Sequence, residues 1–436
     1  CAELTIPTLF PPKSAQPSTE YKCPYQSVGA RGVMNLASKL MLALFPPQAP
    51  FFRLSLDDLV FKQVEGDPSQ KQTLEQGLAK IETAVMDNME VSNDRVAIYE
   101  ALKQLIVSGN VLLRLTDKGL RVFRLENYVI KRDPQGSVLK IIIKESLSPT
   151  TLPDKIRKAV LENKDEGYDK DKDLTLYTCV TREPKNYKVM QECNKKIILT
   201  KEYSLDNLGY IPLRFNRVDG MNYGRSHCES YLGDLRSLEG LTRSILEGSA
   251  AASKMLFMIN PAGTSRASSI AKAPNGAIIE GNAQDVSVLQ ANKFADFRIA
   301  FETSQRIEQR LQYAFLMAKA VQRDAERVTS TELKILTQEL ESTLGGIYSI
   351  LSSELQLPYL RRRMHLLVRS GKVPQLPDDI VGISIITGLQ GLGRGQDKEK
   401  LIEFITTMAQ ALGADVMRQY INLDEAIKRL ATSIGI

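Results

Sequence analysis

Residues 226–254 read SHCESYLGDLRSLEGLTRSILEGSAAASK, and the organisation of the whole chain turns on them. The stretch has no proline. Tyr231, Leu235, Leu238, Leu241, Ile245 and Ala252 recur on one side at helical spacing. A helix over the full stretch is roughly 44 Å long at about 1.5 Å per residue. Gly233, Gly240 and Gly248 interrupt it, each at a cost of about 1 kcal/mol against Ala. That predicts either a bend or a second backbone in close approach. A partner helix is predicted from near Lys293, with Phe294, Phe297, Phe301, Ile307, Leu311 and Phe315 along one side. The intervening Met255–Gln290 carries Pro261, Gly263, Pro274, Gly276 and Gly281, and little charge. Short strands are expected there at Met255–Ile259, Ala277–Ile279 and Val286–Leu289. Two long helices thus bracket a compact insert. Apolar sides of that length cannot both be buried in a thin hairpin. Identical copies arranged cyclically would supply the missing neighbours. The alternative is a monomeric domain with a long helical arm.

Working towards the N-terminus, the period changes. Leu4–Pro24 is rich in Pro, Ser and Thr and is expected to be an extended arm. Val33, Leu36, Ala37, Leu40, Met41 and Leu44 form a helical stripe that Pro46-Pro47 ends, because proline lacks the backbone donor. Leu74, Leu78, Ile81 and Val85 mark a second helix. Val96, Tyr99, Leu102, Leu105 and Ile106 mark a third, ending at Gly109. Strands follow. Val111–Leu115 and Leu120–Leu125 flank Asp117-Lys118-Gly119 as a hairpin. Tyr128–Arg132 and Val138–Lys144 flank Asp133-Pro134-Gln135-Gly136, the pattern of a type I turn. After a charged interval, strands are expected at Leu174–Val180, Tyr187–Gln191 and Lys196–Lys201. This half reads as α+β, helices leading a mostly antiparallel sheet.

Towards the C-terminus, Ala318–Thr329 is polar and basic. A third long helix follows, capped by Thr329 or Ser330 and striped by Leu333, Leu336, Leu340, Leu344, Ile347, Leu351 and Leu355. Gly345-Gly346 and Pro358 are expected kinks. A Gly- and Pro-rich joint over Gly371–Gly395 precedes a last helical pair, Lys398–Ala411 and Leu423–Ile434.

Composition narrows the function classes. With 436 residues the chain has room for two or three domains. No apolar run reaches the length of a membrane span. Five scattered cysteines and two histidines, without a C-x-x-C pair, argue against a zinc site or a disulfide framework. A net charge of +6 is too small to make one copy a strong nucleic-acid binder, though a ring multiplies it. No catalytic constellation is present. There is no G-x-x-x-x-G-K-[ST] phosphate loop. Gly391-x-Gly393-x-Gly395 lacks the spacing of a dinucleotide fingerprint. Gly224-Arg-Ser-His-Cys228 lacks the second glycine of a hydrolase elbow and reads as a Ser-capped helix start. Neither a metal nor another cofactor is expected. The chain opens on Cys1 rather than Met, so an upstream segment is expected.

Several strings, taken jointly and in order, resemble the portal (head-to-tail connector) proteins of podovirus-type short-tailed bacteriophages. They are Thr5–Phe10, Val28–Gly32, Asn35–Pro46, Glu100–Leu105, Gly109–Leu113, Tyr223–Ser226 and Tyr231–Glu239. Beyond these lie Asn260–Gly263, Ala320–Arg323 with Glu326–Thr329, Leu344–Leu357 and Gly393–Lys398. The resemblance implies an α+β, mostly α, portal fold that assembles as a cyclic homododecamer. It implies a wing from 1–225 and 317–396, with a channel loop at 318–329. It also implies stem helices at 226–254 and 291–316, a clip at 255–290 and a crown at 397–436. Such a ring would sit at one capsid vertex, the head-tail junction of the virion, after assembly in the host cytoplasm. It would be the conduit for packaging and ejecting double-stranded DNA without regard to sequence. Implied partners are the terminase large subunit, the tail adaptor protein, and the major capsid and scaffolding proteins, with no membrane. A low-order oligomeric nucleic-acid-binding scaffold protein is the alternative.

The resemblance also singles out residues. Lys319, Arg323 and Arg327 recur every four positions in the implied channel loop, where cations would touch phosphates without reading bases. Asp324 and Glu326 dilute them, which suits sliding DNA; a solvated loop or intersubunit ion pairs are the competing readings. Arg298, Arg306 and Arg310 lie off the aromatic side of the second stem helix and would face either the channel or the next subunit. Gly345 and Gly346 are either a valve-like kink or a packing pair. The dense run Arg361-Arg362-Arg363 with Arg369 and Lys372 reads as cations near a helix C-terminus, not as a DNA contact.

Overall fold

The computed structural model describes residues 1–12, 15–16, 18–46, 50–56, 68–152, 157, 173–252, 256–263, 266–274, 276–278, 280, 282–289, 294–317, 344–374, 381–385 and 406–407. In chain order the main elements are α1 (Val28–Leu44), β1 (Phe52–Leu56), α2 (Pro68–Val91), α3 (Asp94–Ser108), β2 (Asn110–Thr116) and β3 (Gly119–Phe123). Next come β4 (Tyr128–Arg132), β5 (Val138–Leu147), β6 (Leu174–Arg182), β7 (Asn186–Cys193), β8 (Lys196–Ser204) and β9 (Tyr210–Arg214). The last are α4 (Leu232–Ala252), β10 (Leu256–Ile259), β11 (Val286–Leu289), α5 (Phe294–Ala314), α6 (Leu357–Arg369) and β12 (Val381–Ile385). The chain divides into two compact units. The first is Cys1–Gly32 with Tyr231–Met317, and the second is Val33–Ser230 with Ala318–Ile436.

In the second unit the expected single sheet is two. β4 to β8 form a five-stranded antiparallel meander in sequence order. β2 sits between β3 and β9 in a separate three-stranded sheet. Alternation is the cause: inward positions of both sheets meet in one core of Leu112, Phe123, Tyr128, Ile130, Ile141, Ile143, Val180, Tyr187, Val189 and Tyr210. The β2–β3 hairpin closes as the spacing predicts, with Thr116 opposite Gly119. β4 is an edge strand, and a loop satisfies its outward donors. The Ile130 amide donates to the Tyr223 hydroxyl (3.1 Å) and the Arg132 amide to Asn222 Oδ1 (2.7 Å). Asn110 fixes that loop with two bonds of 2.8 Å to the backbone of Gly224.

The helices of this unit bury Leu36, Leu40 and Leu44 of α1, Val85 and Met89 of α2, and Ile98, Leu102 and Leu105 of α3. The predicted stripe of α3 is off by a turn at its start. Val96 is exposed, and the buried position in the first turn belongs to Asp94. Gly109 ends α3 with φ 77°, its amide donating to Leu105 O at 2.8 Å. A Cβ there would stand 2.6 Å from the backbone of Arg225 and Ser226, so only glycine fits. The rings of Phe45, Phe51, Phe52 and Tyr359 pack edge to face, Phe45 and Phe51 with centroids 4.8 Å apart.

Helical residues 344–351 run into a π-helical turn at Ser352–Gln356 and then α6, which carries Pro358 in its first turn. This segment closes the C-terminus of α1: the Tyr348 hydroxyl donates to Ala43 O (2.9 Å) and Gln356 Nε2 to Leu44 O. β1 pairs with β12, Phe52 opposite Ile385, a strand pair the sequence reading did not include. Most of the last helical pair and the helix start at Thr329 or Ser330 lie outside the described residues.

In the first unit, α4 and α5 pack as a hairpin. The helix expected from Ser226 divides at Tyr231. A one-turn piece, His227–Ser230, is capped by the Ser226 hydroxyl accepting from the Glu229 amide at 2.9 Å, and α4 begins after it. At the far end β10 and β11 pair antiparallel, Leu256 opposite Leu289. Residues 277–278 are not a strand, and a short helix at Ala267–Lys272 stands where none was expected. The N-terminal arm carries two 3-10 turns, Ala2–Leu4 and Pro7–Leu9. It is tied to α4 where the Tyr25 and Gln26 amides donate to the Glu239 carboxylate (3.0 and 3.2 Å).

Candidate functional site: the helical hairpin and its basic residues

The hairpin is unevenly buried along its length. Near its base Leu235, Leu238, Ile307, Leu311 and Phe315 are buried. Gly32 leaves room for the Phe315 ring, where a Cβ would lie 2.6 Å from Cγ. Further along, Gly248 accepts the Phe297 ring, where a Cβ would lie 2.4 Å from Cε1. Yet Leu246, Ile299 and Phe301 are more than half exposed, and Tyr313 is 78% exposed. Of these four only Phe301 belongs to the apolar sides predicted from sequence; Leu246, Ile299 and Tyr313 lie off them. Gly233 and Gly240 face open space, with nothing within 4 Å of a Cβ.

The three arginines of α5 are all exposed. Arg298 pairs with Glu302 one turn on (3.2 Å), and Arg310 reaches across the hairpin to Asp234 (2.8 Å). Exposed pairs of this kind contribute about 0–1 kcal/mol. Arg306 has no ion-pair partner among the described residues. Lys319, Arg323 and Arg327 lie outside the described residues. Gly345 and Gly346 sit within helical residues 344–351, with nothing among the described residues within 4 Å of a Cβ; the irregular turn of that segment falls at Ser352–Gln356.

Of the densest basic run only Arg362 and Arg363 are buried in the second unit; Arg361, Arg369 and Lys372 are exposed. Arg363 pairs with the fully buried Asp94, Arg362 donates to Asn207 Oδ1 (2.8 Å), and Arg361 pairs with Asp206 (2.8 Å). The π-helical turn presents Glu354 to Arg214, taking both its guanidinium and, at 3.1 Å, its amide. Spacing alone gave no hint of this pairing, because the partners lie 140 residues apart. None of the five cysteines is in a disulfide. Among the described residues, no group of three or more His, Cys, Asp or Glu is placed to hold a metal, and no helix is long and apolar enough to cross a membrane.

The family described as bacteriophage head to tail connecting protein matches residues 1–436. The chain belongs to that family. The portal protein of Enterobacteria phage T3 is 42% identical over 444 residues, covering 100% of this chain and 83% of its own length. That of Escherichia phage T7 is 42% identical over 448 residues with the same coverage. That of Enterobacteria phage SP6 is 29% identical over 412 residues, covering 94% and 79%. Among solved structures, the neck of an empty gene transfer agent particle matches at 10% identity and a TM-score of 0.43, over 93% and 90% of the chains; that likeness is too slight to build on. The resemblance read from the ordered strings is borne out. This connector is a structural subunit of the phage head-tail junction.

Proposed function

We propose that twelve copies of this connector close into a ring at one capsid vertex, through which double-stranded DNA enters the head and later leaves it. The observation that carries the reading is the set of exposed apolar side chains on the hairpin: Leu246, Ile299, Phe301 and Tyr313. Apolar surface at about 25 cal/mol per Å² favours a neighbour, and a ring gives every copy the same one. The hairpin at 226–254 and 291–316 would be the stem and 255–290 the clip. The wing would take 1–225 and 317–396, and 397–436 the crown. Exposed Arg306, with Arg298 and Arg310, would line the bore or bond the next copy. Lys319, Arg323 and Arg327 would meet the DNA backbone, and Gly345-Gly346 would let that segment move.

The subunit carries no chemistry of its own in this reading. Work on DNA falls to a recruited motor, the terminase large subunit, docking where the tail adaptor later binds; capsid and scaffolding proteins would surround the ring. Native mass tests the assembly. Wild-type protein should run near twelve times 48.6 kDa, and Leu246→Asp with Phe301→Asp should run as single chains of unchanged helicity. Wild-type protein at one or two copies under every condition would favour a low-order nucleic-acid-binding scaffold instead.

A further inference from the structure

The second unit holds a cleft that the connector role leaves unused. It has a volume of about 450 Å³, and Arg114 of β2, Lys201 of β8, and Arg362, His365 and Arg369 of α6 line it. That size falls within the ~300–1,000 Å³ typical of small-molecule sites and is far too narrow for a duplex. Two carboxylates share the lining, Asp117 and Glu202, and Glu202 already accepts from Asn186 Nδ2 at 2.7 Å. None of the four Arg and Lys side chains has an ion-pair partner among the described residues.

Arg362 is the most telling of them. It is 9% exposed, and its Nε has no hydrogen-bond partner among the described residues. Its Nη1 is held by Asn207 (2.8 Å) and its plane lies over the Tyr203 ring at 5.6 Å, so the fork is pre-aimed. Gly209 keeps the approach open, since a Cβ there would lie 3.3 Å from that Nε and 2.9 Å from Leu115 O. Arg114 stacks over the Tyr210 ring at 5.2 Å, and the buried Tyr210 hydroxyl is also without a partner among the described residues. Burial pushes the Tyr210 hydroxyl up to about 12, so it keeps its proton. Burial, and then the positive charge of Arg362 and Arg369, holds His365 below its ordinary value, leaving it neutral near pH 7. The lining thus holds more donors and cations than the acceptors it offers them.

We propose that this cleft binds a compact phosphate-class oxyanion, pyrophosphate or the phosphate tail of a nucleotide, with Arg362 and Arg114 inside and Lys201 and Arg369 at the rim. Bidentate Arg recognition suits such a group. Titration calorimetry of the intact assembly in phosphate-free buffer tests this with four probes: sodium pyrophosphate, ATP, AMP and a hexaglutamate peptide. Pyrophosphate should bind, and AMP more weakly. ATP matching pyrophosphate would identify a nucleotide tail as the ligand; pyrophosphate binding without ATP would identify the free anion. Lys201→Gln with Arg369→Gln, both at exposed positions, should weaken pyrophosphate about tenfold. Arg362→Met should abolish binding; if that variant fails to fold, the rim pair decides. Three results would overturn the site: no heat with millimolar pyrophosphate, unchanged affinity in the rim variant, or tighter binding of hexaglutamate than of pyrophosphate.

Discussion

The Asp94 carboxylate and the Arg363 guanidinium form an ion pair inside the second unit, with side-chain exposures of 0% and 4%. Two further donors hold Asp94, and Arg363 has acceptors besides it. The Tyr359 hydroxyl donates to Asp94 Oδ2 (2.6 Å), the Leu120 amide donates to Oδ1 (3.0 Å), and Arg363 also donates to Asn88 (3.1 Å). The pair thus joins α3, the β2–β3 hairpin, α2 and α6. Removing one partner strands a buried charge, at a cost of about 3–5 kcal/mol. Asp94→Ala should therefore unfold at markedly lower urea than wild type. Asp94→Leu combined with Arg363→Met should regain much of that loss, because both charges leave together. A single variant as stable as wild type in urea titration would show that the pair does not hold the unit together.

Gly109 combines a left-handed backbone with close contact to Arg225 and Ser226. Ala there carries two penalties, one for φ and one for collision with main chain that has no rotamer to yield. A loss of about 1–3 kcal/mol is expected, measured as a lowered midpoint in denaturant. Gly77, with nothing within 4 Å of a Cβ, is the control: Ala at that position should be neutral or slightly stabilising.

Gly240 separates chain stability from assembly. Among the described residues of its own chain nothing lies within 4 Å of a Cβ, so Gly240→Leu should leave the helicity of the chain unchanged or raised. In a closed ring of adjacent hairpins the same side chain needs space between copies. The expected result is normal helicity by circular dichroism with fewer rings in electron micrographs. Full ring yield would show that neighbours do not approach at this position.

Cysteine reactivity should follow burial. Cys228 is fully buried, and burial pushes its thiol up to about 12, so almost none is thiolate at pH 8. Cys23 is exposed. Brief iodoacetamide treatment followed by peptide mass spectrometry should label Cys23 in native protein and Cys228 only after urea. Equal labelling of both without urea would contradict the burial of Cys228.

Arg323→Ala with Arg327→Ala tests the channel-loop assignment. Rings should form normally, whereas packaging or retention of DNA should fall, and binding should depend less steeply on salt. Unchanged packaging and retention would remove these side chains from the list of DNA contacts.

Local signals in the chain were read well where neighbours in sequence are also partners in space. The β2–β3 hairpin, the turn at Gly136 and the end of α3 at Gly109 all follow from spacing and turn residues. The hairpin of α4 and α5 was legible from its two apolar stripes, but of its exposed apolar residues only Phe301 lies on them. What escaped depends on distant partners. β1 alternates apolar and polar residues over Phe52–Leu56, but alternation does not say that the partner strand lies more than three hundred residues on. Nothing in the sequence marks Asp94, and Arg363 reads as a helix-end cation, because each alone is an ordinary surface residue type. The cleft around Arg362 needed three separated segments to come together. The split of one expected sheet into two was hidden because alternation reports which side of a strand is covered, not by what.

The closure of α1 by Tyr348 and Gln356, and the clasp of β1 by β12, make the earliest-made part of the second unit wait for the latest. A nascent chain leaving the ribosome must hold some three hundred residues before its first long helix gains its final lid. Contacts that span such loops form slowly. Truncated products would therefore lack a finished wall to offer, and a fault in synthesis would be screened out before it reached an oligomer. Translation of the whole polypeptide acts as the admission ticket to assembly.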